Sequence, residues 1–433
     1  MKQNDDVSRD RLEQMAGRIG RFTARHLVDA DGLVYCGLNQ RTLKPFRDRE
    51  IRQEQCFADA HLKQHFSNAE VFNYEDSNMA TAEYLLANLY QWQVTGAPAA
   101  KNAARRGFNA LKAVAEAGSH NSRGVVMPMF GFLPKPHGGV AKARLCAEVS
   151  IDQYLRVMYA LQEYAAGLAR PAEKAWIDRF LAGCADCWDI NHYTFNYFSN
   201  IVRWGACGHH AIAFGLYCSA VGETYRPTPH DGWFKIFRSR ADALLECGEY
   251  GLSDNVASLT ILAMKRLCQL KPEQRTTWLR YARRVFDDSA KAINAQGLAW
   301  LYPFIYKLKP DQRFAKPHWL PKPRNGETYY DFLRWRGNLF CPSSMQAGAA
   351  LDLYELTGRK TYLTTARKLL LVLGGQDCLK YLIPLSPADL PKDYGFLGDK
   401  ISGLNTAAWL RAYWQLRLAE GEPQRNGRRI TQV

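Results

Sequence analysis

The chain has 433 residues, 47% of them hydrophobic, with eleven cysteines and a formal charge of +15 at pH 7. That length supports one large repetitive core or two to three small domains. No apolar run approaches the roughly 20 residues of a membrane span, and the start, "MKQNDDVSRDRLEQMAGRIG", lacks the apolar middle of a secretion signal. The expectation is a cytoplasmic protein without a membrane partner. The cysteines, odd in number and without framework spacing, read as reduced, buried thiols. The positive charge favours acidic partners. It does not say which: no dense basic stripe or known module along the sequence argues for nucleic acid, and an acidic small molecule or acidic oligosaccharide suits a diffuse positive field at least as well. Oligomeric state is left open.

In chain order, residues 8–28 read as a helix, "GLVYCGL" as a brief extended piece, and roughly 48–66 as a second helix. A motif then recurs: a helix ending in Leu-Tyr, a turn with Gly, and a basic Ala-rich helix. "NLYQWQVTG" leads to "AARRGFNALKAV", and "DLYELTGRK" leads to "TARKLLLVL". "GLYCSAVG" reads as a third copy of the turn, and "YARRVFDDSAKAI" as another second helix. With 151–186 and the C-terminal "GLNTAAWLRAYWQLRLA", this makes at least five helical hairpins. The period is too long and irregular for a solenoid. The spacing predicts an all-α (α/α)6-type toroid over residues 1–433, with 1–66 as N-terminal helices of the barrel and 420–433 as a tail. Long connections at 118–147, 187–205, 222–233, 297–335 and 374–402 are rich in Gly, Pro, His and aromatics, and long loops of that kind usually serve a site.

Two acids stand at helix starts. In "AEVSIDQYLRVMYALQEYA", Asp152 opens a helix whose apolar stripe is Ile151, Tyr154, Leu155, Met158 and Leu161. A local reading is available: Ser150 and Gln153 form a capping box, an acid suits the helix dipole, and Arg156 pairs with Asp152 four residues on. Asp76, in "NYEDSNMATAEYLLANLYQWQVTG", likewise precedes a helix and suits an N-cap. In a toroid, helix starts of consecutive hairpins emerge at one rim, so both carboxylates can face one pocket. Paired acids are the minimum equipment for glycosidic bond hydrolysis.

These segments carry a resemblance. "YEDSNMATAEYLLANLYQWQVTG" is similar to the first acidic motif of unsaturated glucuronyl hydrolases, and "SIDQYLRVMYAL" to their second. Arg336-Gly337-Asn338 resembles a later motif of the related unsaturated rhamnogalacturonyl hydrolases. The order agrees, over roughly residues 70 to 375. The chain departs from the pattern in having Glu75 where His usually precedes the first Asp, in its long 118–147 segment, and in Leu-Phe after "RGN". The resemblance implies a six-hairpin glycosidase that removes a terminal uronic acid, unsaturated or saturated and β-linked, without cofactor or metal. Asp152 would be general acid and base, and Asp76 would hold substrate hydroxyls and influence Asp152. A helix N-terminus and Arg156 both favour the ionised carboxylate, so desolvation or the charge of Asp76 must offset them. Substrate binding would fall to Glu75, Trp204, His209, His210, Arg334, Trp335, Arg336 and Asn338, with Arg203 a further arginine for the carboxylate.

Other chemistries remain open on the same barrel. A sugar 2-epimerase would use His192, His209, His210 or His230 as bases, and a uronate lyase would draw on Asn191, His192 and Tyr193. Cys184, Cys187 and Cys207 with His209 or His210 could hold zinc, although Cys184 and Cys187 lie in a continuous helix, where buried thiols are the commoner outcome. A non-catalytic carbohydrate-binding barrel would show the aromatic groove without converging acids.

Overall fold

The computed structural model describes residues 2–51, 60–120, 129–197, 200–203, 209–225, 231–247, 254–300, 339–374, 377–384 and 392–421. In chain order its elements are α1 (Lys2–Phe22), β1 (Gly37–Asn39), α2 (Ala60–His65), α3 (Asn68–Tyr74), α4 (Ser77–Thr95), α5 (Pro98–Gly118), α6 (Ile151–Gly167), α7 (Pro171–Ile190), β2 (Thr194–Tyr197), β3 (Asn200–Arg203) and α8 (His209–Tyr225). They continue with α9 (Asp231–Cys247), α10 (Asp254–Leu270), α11 (Arg275–Ala290), β4 (Leu298–Trp300), β5 (Leu339–Pro342), α12 (Ser344–Thr357), α13 (Lys360–Val372), β6 (Ile383–Pro384), β7 (Lys400–Ser402) and α14 (Gly403–Ala419).

Six helices form an inner ring. α4 packs on α6, α6 on α8, α8 on α10, α10 on α12, α12 on α14, and α14 closes back on α4. Helices α5, α7, α9, α11 and α13 each return the chain along the outside, and α1 packs against α13 and α14 to fill the sixth outer place. Because every outer helix carries the chain back to its starting end, every inner helix begins at the same rim. The short strands lie in the connections. β1 and β7 pair antiparallel, with Leu38 opposite Ile401, and tie the N-terminal arm to the start of α14. Among the described residues, no helix is long and apolar enough to cross a membrane.

Sequence and position agree closely in the hairpins. An inner helix is surrounded on all sides, so α4 is buried continuously from Ser77 to Tyr90 and α12 from Ser344 to Leu353. Outer helices bury one face only; α5 buries Ala104, Phe108, Leu111 and Val114 and exposes its other side. The recurrent Thr-Gly turns are left-handed helix caps. Gly96 (φ 67°) and Gly358 (φ 66°) donate their N–H groups to the carbonyls of Trp92 and Tyr354, each at 2.7 Å. Pro98 and Pro171 then open α5 and α7 at the first turn, where a missing N–H costs nothing. The third expected turn does not form: "GLYCSAVG" lies inside α8, which runs on to Tyr225. The expected 48–66 helix is a single turn at Asp48–Glu50 and α2, with 52–59 outside the described residues.

The ring's axis is filled by ions and not by hydrocarbon alone. Arg156 of α6 pairs with Glu83 of α4 at 2.6 Å and donates to Ser258 of α10 at 3.0 Å. Arg411 of α14 meets Asp352 of α12 at 2.7 Å, and Lys265 of α10 meets Asp352 at 3.0 Å and Glu355 at 2.5 Å. Gln415 donates to Asp352 and Glu355, and Tyr217 of α8 donates to Gln162 of α6. Every inner helix therefore contributes to one polar plug, which satisfies charges that burial alone would make very costly. Two flanking cations hold the Asp352 carboxyl well below the usual carboxylate range, in spite of its burial.

Candidate functional site

Asp76 is the residue before α4, and Asp152 is the second residue of α6, the next inner helix, so the fold brings both to one rim. Gln153 joins them. Its backbone N–H donates to Asp152 Oδ1 at 3.0 Å, while its side-chain Nε2 donates to the Glu75 carbonyl at 2.6 Å and to Asp76 Oδ1 at 3.4 Å. Ser150 Oγ also donates to Asp152 Oδ1. Asp152 thus accepts a first-turn N–H of α6, but neither helix is capped by the side chain of its N-cap residue. The Asp76 carboxylate makes no capping hydrogen bond to α4, and the hydroxyl of Ser150 turns to Asp152 in place of the backbone of α6, so the expected capping box is absent. Both carboxylates keep part of their surface open, whereas Glu75 and Gln153 are buried.

The expected Asp152–Arg156 pair does not form either. Arg156 lies one turn deeper, and its guanidinium is committed to Glu83 and Ser258 in the axial plug. A buried carboxylate on the neighbouring inner helix attracts it more strongly than a partly exposed one on its own helix. Asp152 is thereby left without the arginine that would have held it ionised. Burial pushes its carboxyl above the usual range, opposed chiefly by the nearby Lys135 ammonium. Burial also raises Asp76, the charge of Asp152 raises it further, and Lys135, Lys400 and the Gln153 amide oppose the rise. Glu75 is raised by burial, with Lys135 opposing.

Two lysines missing from the sequence reading complete this charge arrangement. Lys135 Nζ lies 3.4 Å from Glu75 Oε1 and is almost wholly buried. It belongs to the Gly/Pro-rich 118–147 segment, strapped to the rim where Asn78 Nδ2 donates to the Pro134 carbonyl and the Lys135 N–H to the Glu148 carbonyl, both at 2.9 Å. Lys400, on β7 just before α14, holds its ammonium over the rings of Tyr381 at 3.8 Å and Phe72 at 4.4 Å. Position could have found Lys400, since it precedes an inner helix as Asp76 does. A lone lysine in "LPKPHGG" gave no such signal for Lys135.

The remaining candidates separate. Glu75 lies at the acid pair. His209 faces the wall, its Nδ1 2.7 Å from the Tyr281 hydroxyl of α11, and burial lowers both His209 and His210 to about 4, so both rings are neutral at pH 7. Trp204, Arg334, Trp335, Arg336 and Asn338 lie outside the described residues, as do Cys207, His230 and the side chain of Arg203. Tyr193, the expected lyase hydroxyl, is buried in the wall. It pairs with Ser219 at 3.1 Å and packs on Trp233 and Phe237, which removes it from the rim. Cys184 and Cys187 are buried within α7, and burial pushes the Cys187 thiol up to about 12. Among the described residues, no cluster of three metal-ligating side chains occurs.

No family model matches the sequence, and no curated protein does. The fold has likenesses among solved structures. An unsaturated glucuronyl hydrolase specific for heparin superposes with a TM-score of 0.53 at 10% identity, over 96% of this chain and 98% of that one. A D-mannose isomerase (13% identity, 94% and 97% covered) and the cellobiose 2-epimerase of Bacillus thermoamylovorans B4167 (12% identity, 97% and 100% covered) each give 0.48. At such identities the likeness is one of fold, and it agrees with the closed ring described above: the chain is an (α/α)6 toroid of the six-hairpin glycosidase type.

Proposed function

We propose that the protein is a glycoside hydrolase that removes a terminal uronic acid from oligosaccharides, with Asp152 as acid and base and Asp76 as its partner. One observation carries the reading: two partly open carboxylates, bridged by Gln153, sit at one rim of the toroid, and neither is neutralised by an arginine. A carboxyl raised by burial keeps its proton nearer to neutral pH, which a general acid requires.

On a 4,5-unsaturated uronate, Asp152 gives its proton to C4 of the enol ether, and positive charge develops at C5 and the ring oxygen. Water adds at C5, returning its proton to the Asp152 carboxylate. The net change is addition of one water, and the hemiketal formed opens to release the second sugar. Asp76 holds substrate hydroxyls, while burial and the charge of Glu75 help Asp152 to keep its proton. On a saturated β-glucuronide the same two groups divide as acid and base at the anomeric carbon. The lysines Lys135 and Lys400 suit an acidic substrate, because they temper the negative charge of three neighbouring carboxyls.

The test pairs two substrates, an unsaturated glucuronyl disaccharide and an aryl β-glucuronide, with wild type and Asp152→Asn. Loss of the enol-ether absorbance, abolished in the variant, supports hydration. Release of the aryl group instead moves the reaction to saturated glucuronides at the same site. No turnover of either, or an unaffected variant, removes Asp152 from the chemistry.

A further inference from the structure

Positive charge is not spread evenly around the toroid wall. α11 and the residue after it carry Arg275, Arg280, Arg283, Arg284 and Lys291 against Asp287 and Asp288. The neighbouring outer helix α13, with Arg359 before it, adds Lys360, Arg367 and Lys368 and no acid. The two helices touch, since Phe286 meets Tyr362 edge-on at 5.4 Å. Elsewhere on the wall no neighbouring pair of helices matches this: α5 carries Lys101, Arg105, Arg106 and Lys112 against Glu116, but on α7 and α9 the balance reverses or cancels. α7 sets Lys174 and Arg179 against Glu173, Asp178, Asp186 and Asp189, and α9 sets Lys235, Arg238 and Arg240 against Asp231, Asp242 and Glu246.

The basic side is also shaped. A surface groove of about 390 Å³ on α11 is lined by Arg280, Arg283 and Arg284. Beyond α13 a second groove, of about 400 Å³, is lined by Arg9, Arg367 and Arg417 with Tyr354, Tyr413 and three leucines. Some of these cations are spent internally, Arg284 and Lys291 on Asp288, Arg367 on Glu420 and Arg417 on Glu13, and Asp287 and Glu420 themselves line the first and second grooves. Arg280, Arg359, Lys360 and Lys368 have no acidic partner among the described residues, and all four are exposed.

We propose that the α11–α13 face, with its two arginine-lined grooves, binds a long polyuronate chain along the outer wall. The choice of polyuronate rests on the function proposed above; the existence of a localised polyanion surface does not. Arginine forks pair with carboxylates bidentately, and the tyrosines and leucines of the second groove suit the apolar faces of sugar rings.

The experiment measures binding of the full chain to polygalacturonate, with dextran of similar size and an oligothymidylate as comparison probes. Two charge-reversed triples are made: Arg280→Glu, Lys360→Glu, Lys368→Glu on the basic face, and Lys174→Glu, Lys235→Glu, Arg240→Glu on α7 and α9. Both change the net charge equally. The expected result is at least tenfold weaker polygalacturonate binding for the first triple, less than twofold for the second, and no dextran binding. The salt slope of log Kd should also fall by about 2 to 3 in the first triple only, by counterion release. Equal weakening by both triples, or by neither, reduces the effect to diffuse net charge and overturns the proposal. Tighter binding of oligothymidylate to the same face overturns it in favour of nucleic acid. Where the first triple melts below wild type, the neutral set Arg280→Gln, Lys360→Gln, Lys368→Gln replaces it. Because binding is read without turnover, a protein that binds polygalacturonate through this face but cleaves no uronide sinks the hydrolase reading and leaves the surface standing.

Discussion

At the scale of single residues, Gln153 and Lys135 set the state of the acid pair. Gln153 fixes Asp152 with its backbone and Asp76 with its side chain, while Lys135 opposes the rise of both carboxyls. If protonated Asp152 is the working form, activity falls as pH rises through its pKa. Removing the ammonium in Lys135→Met raises that pKa further, so the alkaline fall of kcat/KM should move to higher pH; an unmoved limb would mean that Lys135 has only a structural role. Stability gives a second reading. A carboxyl whose folded pKa is raised releases its proton less readily in the folded than in the unfolded chain, so folding loses stability as pH rises from the unfolded value of 3.8 through the raised one. Asp152→Asn should therefore melt above wild type at pH 7, with the difference vanishing as pH falls below the unfolded value, as thermal melts across pH would show. Asp152 and Asp76 were legible as candidates because an acid before a buried helix stands out. The fate of Arg156 was not. The i,i+4 spacing offered it Asp152, but only the closed ring shows Glu83 and Ser258 within reach.

At the scale of elements, the hairpins follow from turn chemistry that can be read directly. "QVTG" and "ELTG" place Gly96 and Gly358 in the left-handed region, which is open to glycine and strained for residues with a Cβ. An added Cβ would meet nothing within 4 Å at either position, so the cost of alanine is backbone strain alone. Gly96→Ala and Gly358→Ala should each destabilise by about 1–2 kcal/mol in urea titrations, with Gly96→Asn costing less. The same reasoning misplaced a turn at Gly222, because "SAVG" offers a glycine without the preceding threonine and α8 continues through it. Long connections read as site-serving from composition, and the 118–147 segment places Lys135 beside Glu75. Which side chain it delivers depends on a strap to α4 that no local pattern encodes.

At the scale of the whole molecule, closure of the ring creates both the rim and the plug beneath it. Glu83, Arg156, Asp352, Lys265 and Arg411 come from five inner helices, and their spacing in sequence carries no trace of their contact. Breaking one member leaves a buried charge unpaired, so Glu83→Gln or Arg156→Met should cost about 3–5 kcal/mol. The double variant should cost less than the sum of the singles, which a double-mutant cycle would measure. The basic α11–α13 face likewise belongs to the assembled wall: neither helix is unusual alone, and their contact through Phe286 and Tyr362 makes them one surface.

The measurement closest to the central claim is turnover of the unsaturated glucuronyl disaccharide and the aryl β-glucuronide by wild type and Asp152→Asn. The account predicts turnover of at least one substrate by wild type and a loss of about a thousandfold in kcat in the variant, the scale expected when a positioned general acid is removed. Undiminished turnover by a folded Asp152→Asn, or no turnover of either substrate by wild type, would contradict it.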